Sequence, residues 1–156
     1  MKHIKLYEEF VNESKTIQQK FYDSQIKILT KSKKEWEQEL KSTTEKEYAQ
    51  DRVDTVSRLL TYNTNLKNHA DAAAASDLGY EDPKVMQMDL DAAIDFLADR
   101  EELVKAIETK IKKGEYSNNL VASNLIGSET DLKANLEEFK YSIKSLKTRI
   151  ADLTKN

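Results

Sequence analysis

The chain has only two histidines, His3 and His69, and no cysteine, so imidazole is scarce and thiolate chemistry is excluded. A di-iron bundle site would need a glutamate three residues before a histidine, and neither histidine has one. The acidic run Asp89, Asp91, Asp95 and Asp99 supplies carboxylates at helical spacing, without the sharp glycine turn that a calcium-binding EF-hand loop requires. Gly-rich phosphate loops, nucleophile elbows and zinc-ligand spacings are absent. Carboxylate pairs are plentiful, but in a chain with 34% charged residues they are the ordinary furniture of solvated helices. The chain reads as non-enzymatic, with no metal or cofactor.

The spacing that does carry chemistry is apolar. Leu132, Leu136, Phe139, Ile143, Leu146, Ile150 and Leu153 alternate steps of four and three. That is a heptad seam, with Leu132, Phe139, Leu146 and Leu153 at d and Leu136, Ile143 and Ile150 at a. One flank is the basic row Lys133, Lys140 and Lys147. The other is Asn135, Ser142 and Arg149, so self-pairing in parallel would set no acid against those lysines. The acidic flank Asp95, Asp99 and Glu102 lies just upstream. An antiparallel hairpin folded about the intervening loop would set Glu102 near Lys140 and Asp95 near Lys147.

The elements that must position this seam are helices. The chain has 156 residues with 3 glycines and 1 proline, too few breaks for a sheet protein. The expected fold is all-α: about four long helices in two antiparallel hairpins, forming an elongated bundle with coiled-coil pairing. A first long helix is expected over roughly Ser14 to Lys41, into which the amphipathic segment 1–13 can run, with apolar positions at Ile17, Phe21, Ile28, Trp36 and Leu40 and a basic stripe at Lys27, Lys31 and Lys34. A second spans roughly Glu45 to Ser76, started by a Thr44–Glu47 capping box. Its stripe is Tyr48, Val53, Val56, Leu59, Leu60, Leu66, Ala70 and Ala73, and Ala72 to Ala75 read as plain helix propensity. The third opens on an Asp82 cap with Pro83 in the first turn and stops at Gly114. Its stripe runs through Met86, Leu90, Ala93, Phe96, Leu103, Ile107 and Ile111. Glu115 to Gly127 form a rather apolar loop laid over the open end of a hairpin, and Ser128 with Asp131 caps the last helix.

A net charge of −3 argues against strong nucleic-acid binding, which needs excess Lys and Arg to displace counterions. No apolar run approaches the roughly 20 residues that span a bilayer. Residues 1 to 13 carry Glu8, Glu9 and Glu13 and make no signal-peptide core. The expected compartment on synthesis is the cytoplasm, with no membrane partner.

Those first residues, MKHIKLYEEFVNE, hold the one functional hint. Tyr7, Glu8, Glu9, Phe10, Val11, Asn12, Glu13 and Ser14 follow a Met-Lys start. The run resembles the N-terminal capsid-targeting peptide of internal head proteins in T4-like tailed phages. That pattern is aromatic, Glu or Gln, Glu, Phe, branched aliphatic, any residue, Glu, small residue. The resemblance implies a segment, 1–13, that docks into the prohead core and is cut off by the prohead protease, leaving one helical domain, 14–156. Carried over, Val11 is the recognised aliphatic and the cut falls between Glu13 and Ser14. Leu6-Tyr7-Glu8 is a second site of the same kind. Two departures stand: Val replaces the usual Ile or Leu, and the stretch before Tyr7 is longer than in the family. The implied protein is a prohead core component or packaged internal protein. It would be made in the host cytoplasm and carried to the head interior, with scaffold and capsid proteins and the protease as partners. The plainer alternatives are an ordinary amphipathic helix start, with Leu6 and Phe10 in the core, and a helical binding module or assembly adaptor unrelated to capsids.

Overall fold

The computed structural model describes residues 2–118 and 122–155, with side chains from Ile17 onward. Among the described residues there are four α-helices and no strand: α1 (Lys2–Ser42), α2 (Lys46–Ala75), α3 (Pro83–Lys113) and α4 (Glu129–Thr154), with a 3-10 turn at Gly79–Glu81. The fold is all-α and built from two hairpins, α1 with α2 and α3 with α4. The hairpins meet where α2 lies against α3, and among the described residues the only helix close to α4 is α3.

Local chemistry sets several helix boundaries. Asp82 caps α3 by accepting from the Lys84 amide at 2.8 Å, and Pro83 takes the first position, where a missing N–H costs nothing. Gly114 ends α3 in the left-handed conformation, φ 68°, that a side chain disfavours. Ser128 and Asp131 form a complete capping box at α4. The Thr44–Glu47 box does not form, because Glu45 is the N-cap of α2 and makes no side-chain cap. Thr43 takes over: its Oγ1 accepts from the Glu45 amide at 3.1 Å and closes the α1–α2 turn.

The seam of α4 faces α3 as its period requires. Leu132 and Phe139 join Leu103 and Ile107 in the main core, with Val104, Ile111, Leu125 and Leu136 packed against it. Ile143, Leu146, Ile150 and Leu153 are only half-buried, since α3 alone covers that end of α4. The charges settle into a different register from the expected one. Lys140 pairs with Glu108 and Lys147 with Glu101, each at 3.9 Å, while Lys133 turns to Glu129 on its own helix at 2.6 Å. Asp95 and Glu102 face solvent. Asp99 turns towards α2, where it takes Arg58 at 2.9 Å. Apolar packing therefore sets the register, and long exposed side chains pair with whatever it brings within reach; such pairs contribute only about 0.2–1 kcal/mol each.

In α1 the apolar positions read as core divide in two. Trp36 and Leu40 are half-buried against α2, and Trp36 meets Tyr48 edge-on at 5.9 Å. Ile17, Phe21 and Ile28 are 63%, 56% and 58% exposed. The half-buried positions of α1 that keep helical step are Gln19, Tyr22, Ile26, Leu29, Lys33, Trp36 and Leu40. Two polar residues sit in that row, which hid it from a search for apolar period. On α2, Ala73 is fully buried, so the alanine run provides close approach as well as propensity. Val85, one position off the expected stripe of α3, is also buried.

Candidate interaction surfaces

Among the described residues, carboxylates and histidines do not converge: no three His, Cys, Asp or Glu come together in a way that could hold a metal. Of the acidic run Asp89, Asp91, Asp95 and Asp99, all but the exposed Asp95 are tied to structural partners. Asp89 takes Arg149 of α4 in a bidentate pair at 2.7 Å, and Asp91 accepts from Gln87. His69 is half-buried and leans edge-on against Tyr80 at 5.0 Å.

Among the described residues the most deeply placed charged side chain is Asp51 on α2, only 4% exposed. Its Oδ2 accepts from the Ser123 hydroxyl and from the Leu125 amide, the latter at 3.0 Å. Asn135 of α4 donates from Nδ2 to the carbonyls of Ser123 at 3.0 Å and Asn124 at 3.3 Å. The 122–127 stretch is thereby clasped from both sides while Ile126 is buried and Leu125 packs on the core. This joins the two hairpins through a loop. Sequence reasoning saw the loop as apolar and covering. It missed the clasp, because one aspartate among 28 acidic residues carries no mark of burial.

Among the described residues, a groove and a helix face leave large apolar side chains open. The first is a groove of about 710 Å³ between α2, α3 and α4, walled by Leu59, Tyr62, Leu66, Phe96, Leu146 and Leu153. It exists because α4 stays apart from α2, which leaves the far half of the seam uncovered. Arg100 reaches its edge, with its guanidinium over Phe96 at 4.5 Å and Phe139 at 5.0 Å. Burial pushes its pKa below the usual arginine value, against the pull of neighbouring Asp99. The second open surface is the outer face of α1, with Ile17, Phe21 and Ile28.

No known family, characterised protein or solved structure matches the chain. The surfaces must therefore be judged on their own chemistry. Among the described residues, no helix is long and apolar enough to cross a membrane.

The side chains of Tyr7, Glu9, Phe10, Val11, Glu13 and Ser14, and of Leu6, lie outside the described residues. Their backbone is helical and belongs to α1, which runs unbroken across the Glu13–Ser14 bond. Gln19 donates to Asp71 at 2.8 Å, and Lys67 pairs with Asp23 at 2.7 Å. Four residues on from Asp71, α2 ends at Ala75; four residues back from Gln19, α1 has only reached position 15. The α1 backbone thus continues for several turns past the end of its partner helix.

Proposed function

We propose that the chain is a non-enzymatic structural protein of a phage head, either a prohead core component or a packaged internal protein, addressed to the capsid by residues 1 to 13. The observation that carries this reading is the ordered run Tyr7, Glu9, Phe10, Val11, Glu13, Ser14 at the end of α1 that outruns α2. Scaffold and capsid proteins are then its docking partners, and the prohead protease cuts after Glu13. A protease reads an extended strand, so the helix must unwind locally at Glu13–Ser14. Unwinding costs least near a chain terminus that has outrun its partner helix. The related sequence Leu136-Glu137-Glu138 is protected, because it lies between buried Leu132 and Phe139.

The test is the N-terminus of the protein recovered from mature particles, read by mass spectrometry. Cleavage predicts a chain starting at Ser14. A chain still starting at Met1 would refute processing. Deletion of residues 2 to 13 should leave the melting temperature within a few degrees of the parent and abolish uptake into heads. Normal uptake of that deletion would refute the address.

A second reading is a helical assembly adaptor unrelated to capsids. What supports it is the pair of open apolar surfaces, the α2–α3–α4 groove and the outer row of α1.

A further inference from the structure

The outer row of α1 has the form of a helix-pairing seam. Ile17, Phe21 and Ile28 fall at steps of four and seven, with Ser24 between the last two, so they line one narrow stripe. All three are more than half exposed, although each is large and apolar. The stripe points away from α2, which takes the row of Tyr22, Ile26, Leu29 and Trp36 on another face. In heptad terms Phe21 and Ile28 are a positions and Ile17 and Ser24 are d positions. The g row is then Lys20, Lys27 and Lys34, and the e row is Gln18, Gln25 and Ser32.

These flanks select the occupant. Lys20, Lys27 and Lys34 are exposed, and none pairs with an acid among the described residues. Between residues 17 and 34 there are five lysines and one acid, Asp23, which is already held by Lys67. A chain of net charge −3 therefore concentrates positive charge beside its most exposed apolar stripe. A second copy is a poor fit. Antiparallel self-pairing sets the lysine row against itself, and parallel self-pairing sets it against neutral Gln and Ser. A lipid surface is also a poor fit, because a monotopic helix needs a broad apolar face and this one is a single stripe broken by Ser24.

We infer that the outer face of α1 binds an acidic amphipathic helix of another protein, whose apolar seam covers Ile17, Phe21 and Ile28 and whose acidic flank faces Lys20, Lys27 and Lys34. This deepens the adaptor reading by naming the partner's chemistry, and it rests on that reading rather than on the address in residues 1 to 13. Head uptake reports the address and peptide binding reports the seam, so the two can fail separately.

The probe is a synthetic three-heptad peptide with Ile and Leu at a and d and Glu at e and g. Its control carries Lys in place of every Glu. Fluorescence anisotropy with the full chain should show the Glu peptide binding at least tenfold more tightly than the Lys peptide. The exposed double substitution Phe21→Ser with Ile28→Ser should weaken binding at least tenfold while circular dichroism stays unchanged. Lys20→Glu, Lys27→Glu and Lys34→Glu together should reverse the preference between the peptides. Failure to bind the Glu peptide, equal binding of both peptides, or undiminished binding by the serine variant would overturn the inference. So would a parent dimer in sedimentation that the serine substitutions dissolve, since a second copy would then own the stripe. Phosphatidylserine vesicles bound in preference to the Glu peptide would overturn it in favour of a membrane.

Discussion

The two hairpins are similar in shape and different in substance. The α3–α4 hairpin buries Leu103, Ile107, Leu132 and Phe139 in one cluster, and its loop is clasped over that cluster. In the α1–α2 hairpin the buried positions are Ala49, Asp51, Val53, Val56, Ala70 and Ala73, all on α2, and no described residue of α1 is fully buried. Apolar burial contributes about 25 cal/mol per Å², so large side chains taken fully out of water anchor far more than small ones or half-covered ones. One hairpin therefore works as the anchor. The other presents a long helix whose outer row from Ile17 to Ile28 remains open for contact.

The largest expected effect lies in the anchor. Leu132→Ala or Leu103→Ala should cost about 2–5 kcal/mol in urea unfolding, the range for large-to-small changes at closed sites. Leu29→Ala or Ile26→Ala on α1, where the side chains are half-covered, should cost clearly less. Equal losses on the two hairpins would remove the contrast. Leu146→Ala belongs on the lower side as well, because it walls the open groove.

How far this contrast could be read from sequence differs between the two hairpins. In α4 every seam position is apolar, the cap residues are the preferred ones, and one register satisfies all of them. The antiparallel α3–α4 pairing was legible for that reason. In α1 the row that faces α2 includes Gln19 and Lys33, while three large apolar residues face outward. A helix with two apolar rows defeats a rule that sends apolar residues inward, and only the position of α2 decides which row is covered. The charge register was equally out of reach, since exposed ion pairs follow packing and do not direct it.

Next in size is the clasp. Asp51→Ala removes the acceptor for the Ser123 hydroxyl and the Leu125 amide in a buried setting. The loss should be on the order of 3 kcal/mol, with the Leu125 amide exchanging faster than its neighbours in α4. A loop that keeps its protection would show that Ile126 and Leu125 hold it without the carboxylate.

A smaller, pH-dependent effect sits at the junction between the hairpins. The hydrogen bond from Ser76 Oγ, at 2.6 Å, followed by that from the Lys84 amide, holds the Asp82 carboxyl below its ordinary value. A depressed carboxylate contributes stability that is present above the unfolded-state pKa and lost as pH falls through the folded one. Asp82→Ala should therefore lower the melting temperature at neutral pH and flatten its decline below the ordinary carboxylate range. An unchanged acid limb would mean the cap contributes nothing across that range. Smallest of all, Lys140→Ala or Lys147→Ala should cost about 1 kcal/mol or less, because both pairs are long and open to water.

The contrast between an anchoring hairpin and a presenting helix is tested most directly by native-state hydrogen exchange on the full chain. Exchange resolves local opening residue by residue, and regions with few buried apolar contacts open first. The account predicts the slowest amides at Leu103 to Ile107 and Leu132 to Phe139, with amides from Ile17 to Leu29 of α1 exchanging at least tenfold faster. Equal protection along α1 and the α3–α4 core would contradict it, and would mean that α1 is held as firmly as the anchoring hairpin.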